Sequence, residues 1–139
     1  MINLSPSLYT FINDDAAIMA DATKVYTRRP VPENAVYPFI VVSSQVSHAE
    51  NDFINNITRN ITYDVIVYGQ NDTSSNYRTT ENIAFLVQNK FVRLTSTQMA
   101  IPAGYHLVQV NAIGPLAYPT DDNDKIARGI SVNITISKD

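Results

Sequence analysis

The chain has 139 residues, 45% of them hydrophobic and 17% charged, a formal net charge of −3 and no cysteine. That length suits one domain with a sizeable core, and the missing cysteines exclude disulfides, thiolate metal sites and a thiol nucleophile. The weak negative charge, with Arg28–Arg29 the only adjacent cationic pair, argues against sequence-specific duplex binding, and no apolar run approaches the ~20 residues that span a bilayer.

The first residues, Met1 to Pro6, lack a basic segment followed by an apolar one, so no signal peptide is expected. The triplets Asn3-Leu4-Ser5, Asn56-Ile57-Thr58, Asn60-Ile61-Thr62, Asn71-Asp72-Thr73 and Asn133-Ile134-Thr135 fit the glycosylation pattern, but without a secretory signal they read as chance products of an Asn- and Thr-rich chain. Ser5-Pro6 predicts a helix start, with Ser5 as cap and Pro6 pre-set for the first turn, and Leu8, Phe11 and Ile12 form its apolar stripe. Asn13-Asp14-Asp15 interrupts and recaps a second short turn, Ala16–Ala20. Asp14 and Asp15 there complement a helix dipole rather than hold a metal.

Lys24–Thr27 predicts a short strand, and Arg28–Asn34 a loop stiffened by Pro30 and Pro32, which lack the donor a central strand needs. Tyr37–Ser47 predicts a longer strand. Phe39–Val42 is continuously apolar, as in a strand covered on both faces, and alternation then places Val46 inward and Ser47 outward. A polar connection, His48–Asn56, joins it to the next strand in a long hairpin. Phe53 and Ile54 stand alone in that connection, either tucked back under it or exposed at its tip, and the surface course of loops favours the tip.

Ile57–Phe91 organises the chain. Ile57, Ile61, Tyr63, Val65 and Val67 share one strand face, and Thr58, Asn60, Thr62 and Asp64 the other. At Ile66 and Tyr68 the polar face turns apolar, and the following helix is the expected cover. Gly69–Ser75 reads as turn and cap, with Asp72 or Ser74 accepting from the free helix N–H groups. Tyr77, Thr80, Ala84, Val87 and Phe91 then make a helical stripe, which Ile83, Phe85 and Leu86 widen to more than half the girth.

Arg93–Gly104 reads as a loop. Tyr105–Ile113 is the next strand, stopped by Gly114-Pro115, and Leu116–Lys125 is a loop holding Asp121, Asp122 and Asp124. A calcium loop would need the EF-hand spacing and its distal Glu, both absent, so a polar hairpin turn is expected there. In the last strand Ile126, Ile130, Val132, Ile134 and Ile136 face one way. Ala127, Gly129, Ser131, Asn133, Thr135 and Ser137 face the other, and Arg128 interrupts the apolar set. Together these elements predict one α+β domain over residues 1–139: a mainly antiparallel sheet of two hairpins, with a central amphipathic helix and a short N-terminal helix packed on it.

The residues show no chemistry. His48 and His106 lie far apart and without ligand neighbours, no Gly-x-Ser-x-Gly elbow frames a serine, and none of the four glycines precedes a Lys-Ser/Thr pair. No catalytic, cofactor-binding or metal-ligating residue is therefore expected, and a binding or assembly role is favoured over an enzyme.

The order of features resembles a known family. A short helix ending in Asp-rich turns precedes Lys24-Val25-Tyr26, a Pro-containing loop and Tyr37-Pro38-Phe39-Ile40-Val41-Val42. A hairpin leads to the strand closing in Tyr63-Asp64-Val65-Ile66-Val67-Tyr68. The amphipathic helix, a strand, a Pro/Asp loop and the segment Arg128-Gly129-Ile130-Ser131-Val132-Asn133-Ile134-Thr135-Ile136 follow. This layout resembles that of the tail-completion, or tail-terminator, proteins of long-tailed bacteriophages, over nearly the whole chain. The resemblance implies a non-enzymatic virion protein of the tail and neck, assembled in the host cytoplasm. It also implies a ring, commonly hexameric, that caps the tail tube, ends its polymerisation and joins it to the head connector. The implied partners are further copies of the chain, the tail-tube protein and the head-completion or connector protein. DNA would at most pass through the lumen, no membrane is involved, and no cofactor is needed. Loops 49–56, 95–103 and 116–125 are the candidate contacts, with Phe53, Ile54, Met99, Ile101, Leu116 and Tyr118 as interface residues. The alternatives are another neck, head-closure or tail-tube subunit, and a small α+β enzyme or ligand-binding module.

Overall fold

The computed structural model describes residues 3–50, 58–92, 94, 99–120 and 122–139, with the backbone path alone for 44–50. The elements are α1 (Ser5–Asn13), α2 (Ala16–Met19), β1 (Val25–Tyr26), β2 (Phe39–Glu50), β3 (Thr58–Gln70), α3 (Ser74–Val92), β4 (Tyr105–Tyr118) and β5 (Lys125–Lys138). They build one five-stranded sheet in the order β1-β2-β3-β5-β4. Strand β1 runs parallel to β2, and every other pairing is antiparallel. The α+β class and the two hairpins follow the sequence pattern.

Register follows from burial. Val65 lies opposite both Val42 and Ile130, Tyr63 opposite Val132, and Ile61 opposite Ile134, so three strands bring apolar side chains to one face. A shift of one residue would turn each set to the other side. On this face α1, α2 and α3 contribute Leu8, Phe11, Ile12, Ile18, Ile83, Ala84, Val87 and Phe91 to a single core. Each large aliphatic side chain buried there contributes about 1.5–3 kcal/mol.

The helices are pinned by polar contacts at the rim of this core. The Leu4 N–H donates to the Tyr63 hydroxyl at 2.8 Å. The Phe11 and Phe91 rings pack at 5.1 Å between centroids. Lys90 lies 4.2 Å from the centroid of the Phe11 ring, donates to the Phe11 carbonyl and pairs with Asp15 at 3.2 Å. Arg128 points to the helix side, where it donates to the Tyr77 hydroxyl at 2.9 Å and lies 3.7 Å from Glu81. That placement is how the apolar face of β5 tolerates a cation between Ile126 and Ile130.

Local details depart from the sequence expectations. Ser5 is the first helical residue rather than the cap, and its N–H is taken by Asn3 Oδ1 at 2.9 Å. Thr73, not Asp72 or Ser74, caps α3, its Oγ1 accepting from the Asn76 N–H at 3.1 Å, while Asp72 accepts from the Asn76 side chain at 2.7 Å. Asp15 does cap α2 as its position suggests, accepting from the Ile18 N–H at 3.0 Å. Burial works against ionisation of its carboxyl, but the Ile18 N–H and the Lys90 ammonium outweigh that and hold it below the usual carboxylate range.

Strand β4 does not stop at Gly114-Pro115. It continues to Tyr118 through an irregularity between Ile113 and Leu116, and a second one separates Leu107 from Gln109. An extra residue at a bulge lets an edge strand absorb a proline. Gly114 takes φ +139 there, and a Cβ would lie 2.7 Å from the Gly129 carbonyl, so only glycine fits. On α3, Ile83 is buried but Phe85 and Leu86 are exposed. The sheet covers one side of this helix and nothing described covers the other, so the buried stripe is narrower than its sequence suggests. Ile57, Val46, Ser47 and His48 fall where side chains are outside the described residues.

Candidate assembly surfaces

No described helix packs on the second face of the sheet, although Val41, Ile66 and Ala127 on it are buried. Its middle carries Thr62 and Asp64 on β3, Ser131, Asn133 and Thr135 on β5, and Gln109 and Asn111 on β4, as the register requires. Asn133 Nδ2 donates to Thr62 Oγ1 at 2.9 Å, a cross-strand bond between uncharged groups. Toward the β4 edge the surface turns apolar: Ile113 is 64% and Leu116 45% exposed. Next to them Tyr118 lies across Gly129, where an added Cβ would come within 2.4 Å of its ring. The Tyr118 hydroxyl donates to Asp64, which is 7% exposed, at 3.1 Å. Burial and this carboxylate push the phenol above its usual range.

At the end of the same face lies an aromatic groove. The expected cover for Ile66 and Tyr68 was α3, but α3 packs on the opposite face. Tyr68 stacks instead on Phe39 at 5.5 Å, and Phe39 in turn contacts Tyr26 and Tyr37 at 5.6 and 4.9 Å. Arg29 reaches over from the proline-rich loop, donating to the Tyr68 hydroxyl at 2.9 Å with its guanidinium 5.7 Å from the ring centroid. Lys125 sits 4.7 Å from the Tyr37 ring centroid and 3.5 Å from Asp124. Between these walls a groove of about 720 Å³ stays open, also lined by Pro30, Val31, Pro119, Thr120 and Asp122.

The predicted interface residues fall in different places. Leu116 and Tyr118 lie on strand β4 rather than in a loop and share the open face. Ile101 is half-buried and packs against the core, and Met99 is part of the core at 3% exposure. Phe53 and Ile54 lie outside the described residues. Sequence reasoning missed Ile113, Phe85 and Val92, the last 61% exposed, because apolar residues inside periodic elements read as core. The aromatic groove was missed too: its members come from Arg29, Tyr37, Tyr68 and Lys125, which only the sheet brings together.

No arrangement for catalysis emerges among the described residues. No group of three or more described His, Asp or Glu lies close enough to hold a metal ion. His106 Nδ1 meets Asp139 at 2.7 Å, but both side chains are more than half exposed. No described helix is long and apolar enough to cross a membrane.

No protein-family model matches the chain, and no curated protein sequence does. Among solved structures, a chain in the virion of a native gene transfer agent particle is similar over 96% of this chain and 94% of its own length, with a TM-score of 0.68 and 16% identity. At that identity the likeness is one of fold.

Proposed function

We propose that this chain is a structural subunit of a phage-like virion, and within it a tail terminator. Copies close into a ring, commonly six-fold among the tail terminators it resembles, that caps the tail tube, ends its growth and offers the joint to the head connector. The observation that carries this reading is the fold likeness over nearly the full length of both chains to a component of a gene transfer agent virion. The layout from the Lys24-Val25-Tyr26 segment to the closing Arg128–Ile136 strand supports the finer assignment.

The surfaces suit the task. Aliphatic side chains fill the interior, and the outside keeps an unpaired β4 edge, apolar Ile113 and Leu116, and an aromatic groove. Strand edges and apolar patches are the usual means by which subunits bond to neighbours. Partners are then other copies of the chain, the tube protein and the head-completion protein, in the virion neck after assembly in the host cytoplasm. A net charge of −3 would let DNA pass a lumen without adhering. Negative-stain microscopy of the purified chain tests the reading. Single closed rings of uniform diameter are expected, and long tubes or a monomer at high concentration would refute it.

A further inference from the structure

We propose that strand β4 of one copy adds, antiparallel, to the open outer edge of β2 in the next copy, a joint that presupposes the ring and names what closes it. The strand order leaves β4 unpaired along its outer side. Strand β1 has two residues and covers β2 only at Ile40 and Val41, so the outer edge of β2 is open from Val42 onward. Among the described residues no other backbone group bonds to either stretch.

Neither open edge is guarded by charge, as free strand edges usually are. Strand β4 carries no Lys, Arg, Asp or Glu in its 14 residues, and Val42–Ala49 carries none either. The short β1 is the contrast, with Lys24, Arg28, Arg29 and Pro30 close about it. Irregularities on both sides confine the regular part of β4 to Gln109–Ile113, ahead of Pro115.

The outward groups follow from the register. The Ile40 N–H donates to the Lys24 carbonyl at 2.9 Å, so it faces away from β3. Successive residues of a strand turn their N–H and C=O to alternate sides. Carried through the pairs Val41–Ile66, Val65–Ile130 and Ser131–Ile113, that alternation turns Val110 and Ala112 outward on β4. On β2 it turns Val42 and Ser44 outward, and beyond the shift at Ser44/Val46 it turns Ser47 and Ala49 outward.

Strand direction fits a rotational joint. Strands β2, β3, β5 and β4 alternate in sense, so β4 runs opposite to β2. Rotation about an axis along the strands preserves each strand's sense, and β4 therefore meets the next β2 antiparallel. Within one copy the two edges stand three strand spacings apart, about 14 Å, so they cannot pair with each other. The chain carries both halves of the joint, and the occupant is a second copy. Because the halves are different surfaces, the contact is heterologous and repeats until it closes.

Two proline variants test the joint. Ala112→Pro and Ser47→Pro each remove one outward N–H at a strand edge, where the sheet itself loses no bond. Each lost bond weakens a joint about fivefold or more, and the proline ring also obstructs the incoming strand. Each variant alone should sediment as a monomer with a near-native unfolding midpoint. Mixed, they should form dimers that grow no further, because A112P keeps a sound β2 edge and S47P a sound β4 edge. In wild-type rings the Val110 and Ala112 amides should exchange slowly with deuterium, a readout that needs no variant. Rings that persist in A112P or S47P, a mixture without dimers, or fast exchange of those two amides in wild-type rings would overturn the joint and leave the ring reading intact. A wild-type chain that stays monomeric and ignores tail tubes overturns the ring reading, and the joint with it.

Discussion

Replacing Gly69 by alanine should loosen the seat of α3 on the sheet. Gly69 lies in β3 opposite Ile126, and a Cβ there would come within 1.7 Å of Thr80 Oγ1, 2.8 Å of its Cβ and 2.9 Å of its Cγ2. Thr80 is 1% exposed, and its hydroxyl donates to the Asn76 carbonyl at 3.0 Å. A β-branched side chain in a helix has little rotamer freedom, so the clash is relieved only by moving α3 or breaking that bond. The φ of Gly69 is not in the positive region, so the cost is one of packing. Overpacking costs about 1–3 kcal/mol, and a contact this short places G69A near ~3 kcal/mol, or roughly 10 °C in Tm for a chain of this size. Thr80→Ala alone should cost about 1–2 kcal/mol, for one hydroxyl bond and one buried methyl. In the double variant only the 2.8 Å contact remains, so it should recover about 2 kcal/mol relative to the sum of the single changes. Urea unfolding followed by far-UV circular dichroism measures all four proteins. A G69A midpoint within ~0.5 kcal/mol of wild type, or additive single effects, would refute the packing argument.

Tyr118→Phe should cost about 1–2 kcal/mol at neutral pH, because Asp64, 7% exposed, loses a donor. The raised phenol makes this contribution fully present below its ordinary value of 10.0 and lost as pH rises through the higher folded value; ultraviolet titration should show a late component that is lost in Y118F. Asp15→Asn keeps a capping oxygen but gives up the pairing with Lys90, at a cost of about 1 kcal/mol or less. Since the folded Asp15 carboxyl lies below its ordinary 3.8, the difference from wild type should hold above that pH and close as pH falls through the folded value, as chemical denaturation across pH 2–6 would show. Arg128→Met removes the bond to Tyr77 and the approach to Glu81 and should destabilise by about 1–2 kcal/mol in the same unfolding assay.

What was legible in the sequence was what is locally periodic. The alternation of Ile130, Val132, Ile134 and Ile136 fixes a face of β5, and that of Ile61, Tyr63, Val65 and Val67 one of β3. These two strands then pair as neighbours at the centre of the sheet. The stripe through Thr80, Ala84, Val87 and Phe91 likewise fixes the buried side of α3. Features set by neighbours distant in sequence were not legible. Gly69 reads as turn chemistry, but it sits inside a strand because a helix passes close above it. Gly114-Pro115 reads as a stop, but β4 is an edge strand and a bulge accommodates it. Phe85 and Leu86 read as core only while both sides of α3 are assumed covered. Ile66 is buried and Tyr68 does meet cover, from Phe39 and Arg29, on the face away from α3.

The most direct measurement of the account adds purified chain to tube protein while tubes are growing, then reads tube length and the position of a labelled copy by electron microscopy. Termination predicts tubes that stop lengthening, each with label as a single ring at one end. Label spread along tubes that keep growing, or absent from them, would contradict it.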